Sequence, residues 1–338
     1  MNCLYPLYYL YYPSLCPVLL IYLQQYIVYS IRMGQQSSKD VEIQGTVSKG
    51  YEPVKEMFTE NFRVGREDSA QLCVYVGEEK VVDLWASASV PNYNADTLTN
   101  VFSSGKSLTA IAMAVMQDRG LLKYGSKIAE YWPEFAKNGK QDITVADLMR
   151  HEAGLAGWDT SLDVDDALTE NIKKNSIGKI IEKQQPRYRE WGKREYHAIT
   201  RGWVANEILR RVHPDGFTLG EFLRKEVSNP LNADIFVGVD KENVNNYAPV
   251  AEMKFSFVLG QSMIPQTIGR AVDMNTFDLL SFLNEIRKLW KKPEGLMQPF
   301  NDHNGLVYEK SLSSFYNQEL VRSGETSSAG ANCTARGY

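Results

Sequence analysis

Cysteine and histidine are scarce in this sequence, with four of each among 338 residues. The cysteines form no C-x-x-C pair, which argues against a zinc site and against a dense disulfide framework. The metalloprotease pattern H-E-x-x-H is also absent, because His151-Glu152 is followed by Ala-Gly-Leu. We therefore expect neither a metal nor another cofactor. The same cysteine usage favours a cytoplasmic or membrane-associated protein over a secreted one.

An excess of positive charge is lacking as well. Thirty-seven basic and forty-one acidic side chains leave a net charge of -4, which gives no general attraction to nucleic acid. Hydrophobic residues make up 43% and charged residues 23% of the chain, the values of an ordinary folded protein. The length suits two domains or one large domain with two lobes. Composition does not predict the oligomeric state.

The first 31 residues contain no charged side chain and hold eight of the nineteen tyrosines. Prolines at positions 6, 13 and 17 interrupt any helix there, and the uninterrupted stretch 18–31 is shorter than the roughly 20 residues that span a bilayer. A secretory signal fits poorly, since no Lys or Arg precedes the apolar run and no small-residue cleavage site follows it. We interpret residues 1–33 as an apolar leader, either a membrane anchor or a disordered extension.

Translation from Met33 is a further alternative for this leader. It would place Gly34 at the N-terminus of a segment that ends in Ser38 and fits the N-myristoylation pattern M-G-x-x-x-[ST]. Membrane contact would then come from residues 1–31 or from an acylated Gly34, which binds membranes weakly and reversibly.

Residues 34–338 are predicted to form one α+β domain. Apolar runs at 72–76 and 81–85, separated by the polar segment 77–80, predict a β-hairpin. Helical spacing predicts a buried helix that starts near Ser103 and stops at Gly120. Further helices are predicted after Thr144 and Thr218, ended by Gly154 and Pro230, and at 202–212 and about 274–289. Helices thus dominate a lobe of about 104–290.

The segment from Val101 to Ser107 is the strongest candidate for chemistry. A phosphate-binding loop G-x-x-x-x-G-K-[ST] fails at Asn100, where that motif needs glycine. An S-x-x-K nucleophile fits better, because Ser103 and Lys106 would share one helix face and a neutral lysine amine could take the serine proton. The backbone N–H of Ser103 at the helix start would stabilise an oxyanion. The alternative is a capping serine beside an exposed lysine.

Two other patterns compete with this interpretation. Ser176 and Lys179 give a second S-x-x-K match, but among polar residues and without a preceding extended run. A Ser-His-Asp triad on a G-x-S-x-G elbow is not supported, since Ser262 in Gly-Gln-Ser is followed by Met-Ile.

The runs VFSSGKSLTAIAMAVMQDRGLL and YWPEFAKNGKQDITVADLMRHEAGL, within residues 101–159, resemble the serine β-lactamase-related family, especially its class C and family VIII carboxylesterase branches. The resemblance extends from about Gln71 to the C-terminus. It implies a β-lactamase/transpeptidase-like fold, an antiparallel sheet flanked by helices with an all-helical lobe, and a reaction through an acyl-enzyme.

This resemblance also implies a second catalytic element, Y-x-N in the lactamases. Tyr196 matches its tyrosine and would share the general acid and base role with Lys106, whereas Ala198 stands where the lactamases have Asn. Loss of that amide favours a small-molecule ester substrate over a β-lactam or another amide.

A third family element, K-T-G or H-x-G on a C-terminal strand, is not found after Tyr196. Residues 325–336 resemble the segment that precedes this strand, so we expect a sheet that lacks its C-terminal strands. Two hypotheses stay open: a serine hydrolase acting through Ser103, and a catalytically inactive truncated isoform that serves as a binding or assembly module.

Overall fold

A computed structural model describes residues 41–188, 193–239, 246–251 and 312–338. The predictions for the leader 1–33, for Gly34, for a helix at 274–289 and for part of the helical lobe lie outside these ranges. The described residues form the predicted α+β fold. None of their helices is long and apolar enough to cross a membrane.

The β-strands are β1 Gln44–Val47, β2 Ser69–Val76, β3 Glu79–Ser87, β4 Thr99–Asn100, β5 Ile235–Phe236 and β6 Asn332–Cys333. The α-helices are α1 Glu52–Arg63, α2 Lys106–Asp118, α3 Ile128–Tyr131, α4 Val145–Met149, α5 Thr169–Lys173, α6 Ser176–Lys183, α7 Thr200–Val212, α8 Leu219–Phe222, α9 Asn229–Leu231, α10 Leu312–Tyr316 and α11 Glu319–Ser323. Tighter 3₁₀ turns cover Phe102–Gly105, Pro133–Gly139 and Val164–Ala167, and a wider π-type turn joins α8 to α9 over Leu223–Ser228.

The predicted hairpin is present as β2 and β3 in an antiparallel sheet of order β1-β3-β2. Its turn is shorter than predicted, because β3 begins at Glu79 and Gly77 adopts a φ of +62°, which glycine tolerates without strain. The sheet buries one face against α1 through Phe58 and Phe62. Strand β1 and helix α1 were not predicted, and they give the hairpin a third strand and a covering helix.

The helical lobe packs around α2 and α7, which lie against each other. Buried side chains from α2 include Leu108, Ala112 and Met116, at the predicted helical spacing, and Trp203 and Ile208 come from α7. The predicted start near Ser103 is a 3₁₀ turn, and α-helical geometry begins at Lys106. This turn shapes the site described below.

Two predicted helix ends are wrong. Helix α4 ends at Met149 rather than at Gly154, because the chain leaves the helix through His151, whose φ is +66°. Helical turns continue past the predicted stop at Pro230 to Leu231, because this proline lies in the first turn of α9, where its missing N–H is not needed. The predicted caps are confirmed, since the hydroxyls of Thr144 and Thr218 accept backbone N–H groups three residues on.

A second small sheet, of order β4-β6-β5, ties residues 312–338 to the rest of the domain. The same segment carries Glu325, a fully buried carboxyl group that accepts four hydrogen bonds within the helical lobe. The donors are Thr169 Oγ1 at 2.7 Å, Thr218 Oγ1 at 2.6 Å, Asn206 Nδ2 at 2.9 Å and the backbone N of Gly220 at 2.9 Å. Such complete pairing is what a buried carboxyl group requires. The segment is therefore anchored in the core, and its residues Ser327 and Ser328 lie against the start of α2.

Candidate active site

Ser103 lies at an abrupt change of direction between β4 and α2. The residue before it, Phe102, has a φ of +44°, which is rare and strained for a bulky side chain. The side-chain Oδ1 of Asn100 accepts the Phe102 N–H at 2.6 Å and supports this conformation. The turn leaves Ser103 exposed, in the first turn of a helical segment where backbone N–H groups lack intrahelical acceptors.

Lys106 follows one turn later and places its amine beneath the Ser103 hydroxyl. Its Nζ lies 3.1 Å from Ser103 Oγ, 2.7 Å from the backbone oxygen of Ala198 and 2.8 Å from the backbone oxygen of Ser328. The side chain is only 8% exposed. Burial lowers the pKa of Lys106, as does the charge of Arg201, although contact with Tyr196 opposes this shift. The amine is therefore held in surroundings that favour its neutral form.

Tyr196 approaches the same hydroxyl from the solvent side. Its phenol oxygen is 2.8 Å from Ser103 Oγ, and the Lys106 Nζ lies 4.8 Å from the centroid of its ring. Partial burial would raise the pKa of Tyr196, but hydrogen bonds with Lys106 and Ser103 and the nearby positive charges outweigh it and lower the pKa. A phenol that ionises more easily than usual can serve as both proton donor and proton acceptor.

One distribution of protons fits the contacts of Lys106 with the two carbonyl groups and the contacts of Ser103 Oγ with Lys106 and Tyr196. A neutral Lys106 amine donates its two N–H groups to the carbonyl oxygens of Ala198 and Ser328, and its lone pair then faces the Ser103 O–H. The Tyr196 O–H in turn donates to Ser103 Oγ. In this arrangement the serine proton has Lys106 as its acceptor, and the serine oxygen accepts from Tyr196.

Two neutral histidines form the wall behind Tyr196. The His151 ring centroid lies 5.1 Å from that of Tyr196 and 5.5 Å from that of His197. Burial lowers the pKa of each histidine to about 4, with a further contribution from Arg201. His197 accepts the Leu155 N–H at Nε2 and faces the Glu195 carbonyl through Nδ1, so its ring nitrogens are committed to the backbone. We assign both rings a structural role.

The second S-x-x-K match is not part of this site. Ser176 donates its hydroxyl to the backbone oxygen of Asp166 at 2.8 Å, and Lys179 is exposed on α6. Across the described ranges, no three His, Cys, Asp or Glu side chains gather where they could hold a metal ion.

The sequence did not indicate three participants: the carbonyl groups of Ala198 and Ser328, and the guanidinium of Arg201. Backbone acceptors carry no residue signature, and residue 328 lies 222 positions from Lys106. One signal was available in Gly105, where a Cβ atom would lie 2.4 Å from the Ser327 oxygen. Only glycine permits residues 327 and 328 to approach α2 this closely.

The sequence matches the β-lactamase family model over residues 57–299, which covers most of the chain. The chain belongs to the β-lactamase family. The resemblance inferred from residues 101–159 is thereby confirmed, and so is the β-lactamase/transpeptidase-like fold.

Comparisons with individual proteins agree with membership of the β-lactamase family. Over 198 residues it is 33% identical to Esterase/beta-lactamase LipL of Mycobacterium tuberculosis, an alignment that covers 56% of this chain and 43% of that protein. The chain therefore spans less than half the length of this curated relative. Two solved structures, each 26% identical, are matched over 87% of this chain and 68% of theirs. They are a penicillin-binding protein homologue from Caulobacter crescentus, with a TM-score of 0.60, and a family VIII carboxylesterase, with a TM-score of 0.64.

Proposed function

We propose that this protein is a serine hydrolase that cleaves small-molecule esters through an acyl-enzyme on Ser103. One observation carries the proposal: Ser103 Oγ is contacted by both Lys106 Nζ at 3.1 Å and Tyr196 OH at 2.8 Å. A nucleophile within hydrogen-bond reach of a base, with that base oriented by further groups, is the arrangement that activates a serine. Here the carbonyl groups of Ala198 and Ser328 orient the base.

In the acylation step, Ser103 Oγ attacks the ester carbonyl carbon and its proton passes to Lys106. The carbonyl oxygen becomes an oxyanion, which the Ser103 N–H stabilises at the start of the helical segment. When the carbon–oxygen bond to the leaving group breaks, the departing alkoxide takes the Tyr196 proton. Lys106 then returns its proton to Tyr196, so the pair regains its initial state while the acyl group stays on Ser103.

In the deacylation step, water attacks the acyl carbon and releases the acid. The same amine and phenol serve again: Lys106 takes the proton of the water, Tyr196 gives its proton to Ser103 Oγ as the acyl bond breaks, and Lys106 then returns its proton to Tyr196. The same two groups thus act as base and then acid in each half of the reaction. The scheme uses no cofactor.

The residue at position 198 supports an ester over a β-lactam. Ala198 contributes its backbone oxygen to Lys106, and its methyl side chain offers no amide to orient a lactam side chain. Two relatives, an esterase/beta-lactamase and a family VIII carboxylesterase, agree with ester chemistry.

The test is labelling with a fluorophosphonate probe, together with hydrolysis of p-nitrophenyl butyrate. Ser103→Ala should abolish labelling and lower hydrolysis by on the order of 10³-fold or more, because the nucleophile is removed. Ser176→Ala is the matched control, since it removes the serine of the second S-x-x-K match, and it should label like the wild type. Labelling that survives in folded Ser103→Ala, or a wild-type protein that neither labels nor hydrolyses the ester, would overturn the proposal.

A further inference from the structure

Arg201 is a buried cation directly behind the proposed base. It lies in the first turn of α7 and is only 7% exposed. Its Nη2 donates to the backbone oxygen of Lys106 at 2.8 Å, and its Nη1 lies 3.4 Å from the backbone oxygen of Met149. The guanidinium thus bridges the start of α2 and the end of α4 through neutral carbonyl groups.

This arginine differs from its neighbours on the same helix. Arg210 and Arg211 both form ion pairs with Glu207. Within the described part of the chain, no carboxylate lies within ion-pair distance of Arg201, and its Nε has no hydrogen-bond partner there. An arginine keeps its proton at any ordinary pH, so this is a permanent charge in a region of low dielectric. Burying a charge without a counter-ion is costly, and hydrogen bonds to two carbonyls offset that cost only in part.

The titratable groups packed around Arg201 come from three elements. Lys106 lies on α2, His151 follows α4, and Tyr196 and His197 precede α7. The pKa of each of these four groups is lowered, and the Arg201 charge contributes in every case. Burial is the larger cause for the lysine and the histidines, whereas for the tyrosine burial acts in the opposite direction.

The surrounding charges do not cancel that of Arg201. Arg194 adds positive charge near His151, and the nearby Glu152 is paired with Arg150 and Arg194. Arg201 therefore creates a positive electrostatic potential around these groups, and no acidic group of the described residues neutralises it.

We propose that Arg201 is a positioning residue whose permanent charge disfavours an ammonium at Lys106 and favours ionisation of Tyr196. The inference rests on the proposed function, because a neutral Lys106 and an acidic Tyr196 are what that reaction requires. Arg201 touches neither substrate nor Ser103, and it acts only through the proton affinities of the two groups that do.

The first test compares pH profiles of kcat/KM for p-nitrophenyl butyrate. In Arg201→Gln, the acid limb should move to higher pH by about one unit or more, because Lys106 then holds its proton more tightly. Arg201→Lys keeps a positive charge and should lie nearer the wild type. The control Arg119→Gln removes an exposed arginine that is already paired with Glu226, and its profile should not move. A uniform loss of rate in Arg201→Gln, with an unshifted profile, would overturn the proposal.

The second test reads Tyr196 directly and does not depend on turnover. Phenolate absorbance near 295 nm, as the difference between wild type and Tyr196→Phe, gives the pKa of this tyrosine in the folded protein. A wild-type value below about 10, raised when Arg201→Gln is introduced into both proteins, supports the inference. A wild-type value at or above 10 overturns it, even where Arg201→Gln does not fold. If Ser103 fails to label but this shift is seen, the proposed function fails and the electrostatic role of Arg201 stands.

Discussion

The close approach of residues 327 and 328 to α2 makes Gly105→Ala an informative perturbation. Gly105 has φ -54° and ψ -16°, which alanine adopts readily, so the backbone itself does not oppose the change. The added Cβ atom would lie 2.4 Å from the Ser327 oxygen and 2.7 Å from the Ala331 Cβ. Ordinary contact begins at 3.4 Å, so the segment must retreat by about 1 Å. The neighbouring Ser328 carbonyl accepts from Lys106 and would retreat with it.

Two magnitudes follow from this displacement. Overpacking costs about 1–3 kcal/mol of unfolding free energy, from which the gain of about 0.4–1 kcal/mol for replacing glycine by alanine is subtracted. At about 2–4 °C for each kcal/mol, the melting temperature should fall by several degrees. A shift of about 1 Å in a group that orients the base corresponds to a loss of roughly 10²-fold in rate. We therefore expect a modest loss of stability and a much larger loss of reactivity.

The assay is the second-order rate constant for fluorophosphonate labelling, measured at a temperature where both proteins are folded. Gly125→Ala is the matched control, because a Cβ atom at this position meets nothing within 4 Å and its φ is not positive. It should label at the wild-type rate. A Gly105→Ala protein that also labels at the wild-type rate would refute the link between the Ser328 carbonyl and the orientation of Lys106.

Three further predictions concern the buried His197 behind Tyr196, the buried carboxyl group of Glu325 and the phenol of Tyr196. Below pH 6.5 the unfolded chain protonates His197, whereas the folded protein does not until about pH 4. The unfolding free energy should therefore decrease as the pH is lowered through this range, by up to about 1.4 kcal/mol per pH unit for this residue. Urea melts between pH 5 and 6.5 should show a shallower slope for His197→Gln, and equal slopes would contradict this. Glu325→Leu leaves three buried donors and one half-buried donor without their acceptor and should lower the urea-derived unfolding free energy by at least about 3 kcal/mol, whereas the exposed Glu134→Leu should change it little. Tyr196→Phe should retain Lys106 as base but lose the proton donor, so p-nitrophenyl butyrate hydrolysis should fall by about 10²- to 10⁴-fold without loss of the folded state. An unchanged rate would remove Tyr196 from the mechanism.

Local patterns predicted those parts of the fold that local physics determines. The hairpin at 72–85 and the helix after Ser103 followed from apolar spacing, and the threonine caps followed from their hydroxyls and the acidic residues three positions on. Helix α1 was missed although Pro53 lies in its first turn and Phe58 and Phe62 are four residues apart, which are ordinary helix signals. The two-residue strands β4, β5 and β6 are too short to produce a recognisable alternation, and they exist because the folded chain brings them together.

Three side chains of the candidate site could be predicted. Ser103 and Lys106 were predicted from their spacing and Tyr196 from the family resemblance. The structure places Ser103 Oγ within hydrogen-bond distance of both Lys106 Nζ and Tyr196 OH. The two carbonyl acceptors of Lys106 could not be predicted, because every residue carries a backbone oxygen. Arg201 could not be recognised either, since an arginine in an amphipathic helix is usually solvent-exposed and only tertiary packing shows that this one is buried.

The hydrogen bond from Lys106 to the Ser328 carbonyl has a consequence for the order of events during synthesis. The two residues are 222 positions apart, and translation at about 5–20 residues per second separates their emergence by roughly 10–45 s. Throughout that interval the growing chain holds Ser103 and Lys106 without one of the two carbonyl acceptors that orient the amine. A ribosome-bound intermediate should therefore label at Ser103 much more slowly than the folded protein, however well its first helices have formed. Reactivity at Ser103 would then report when the segment that contains Ser328 has joined the folded domain.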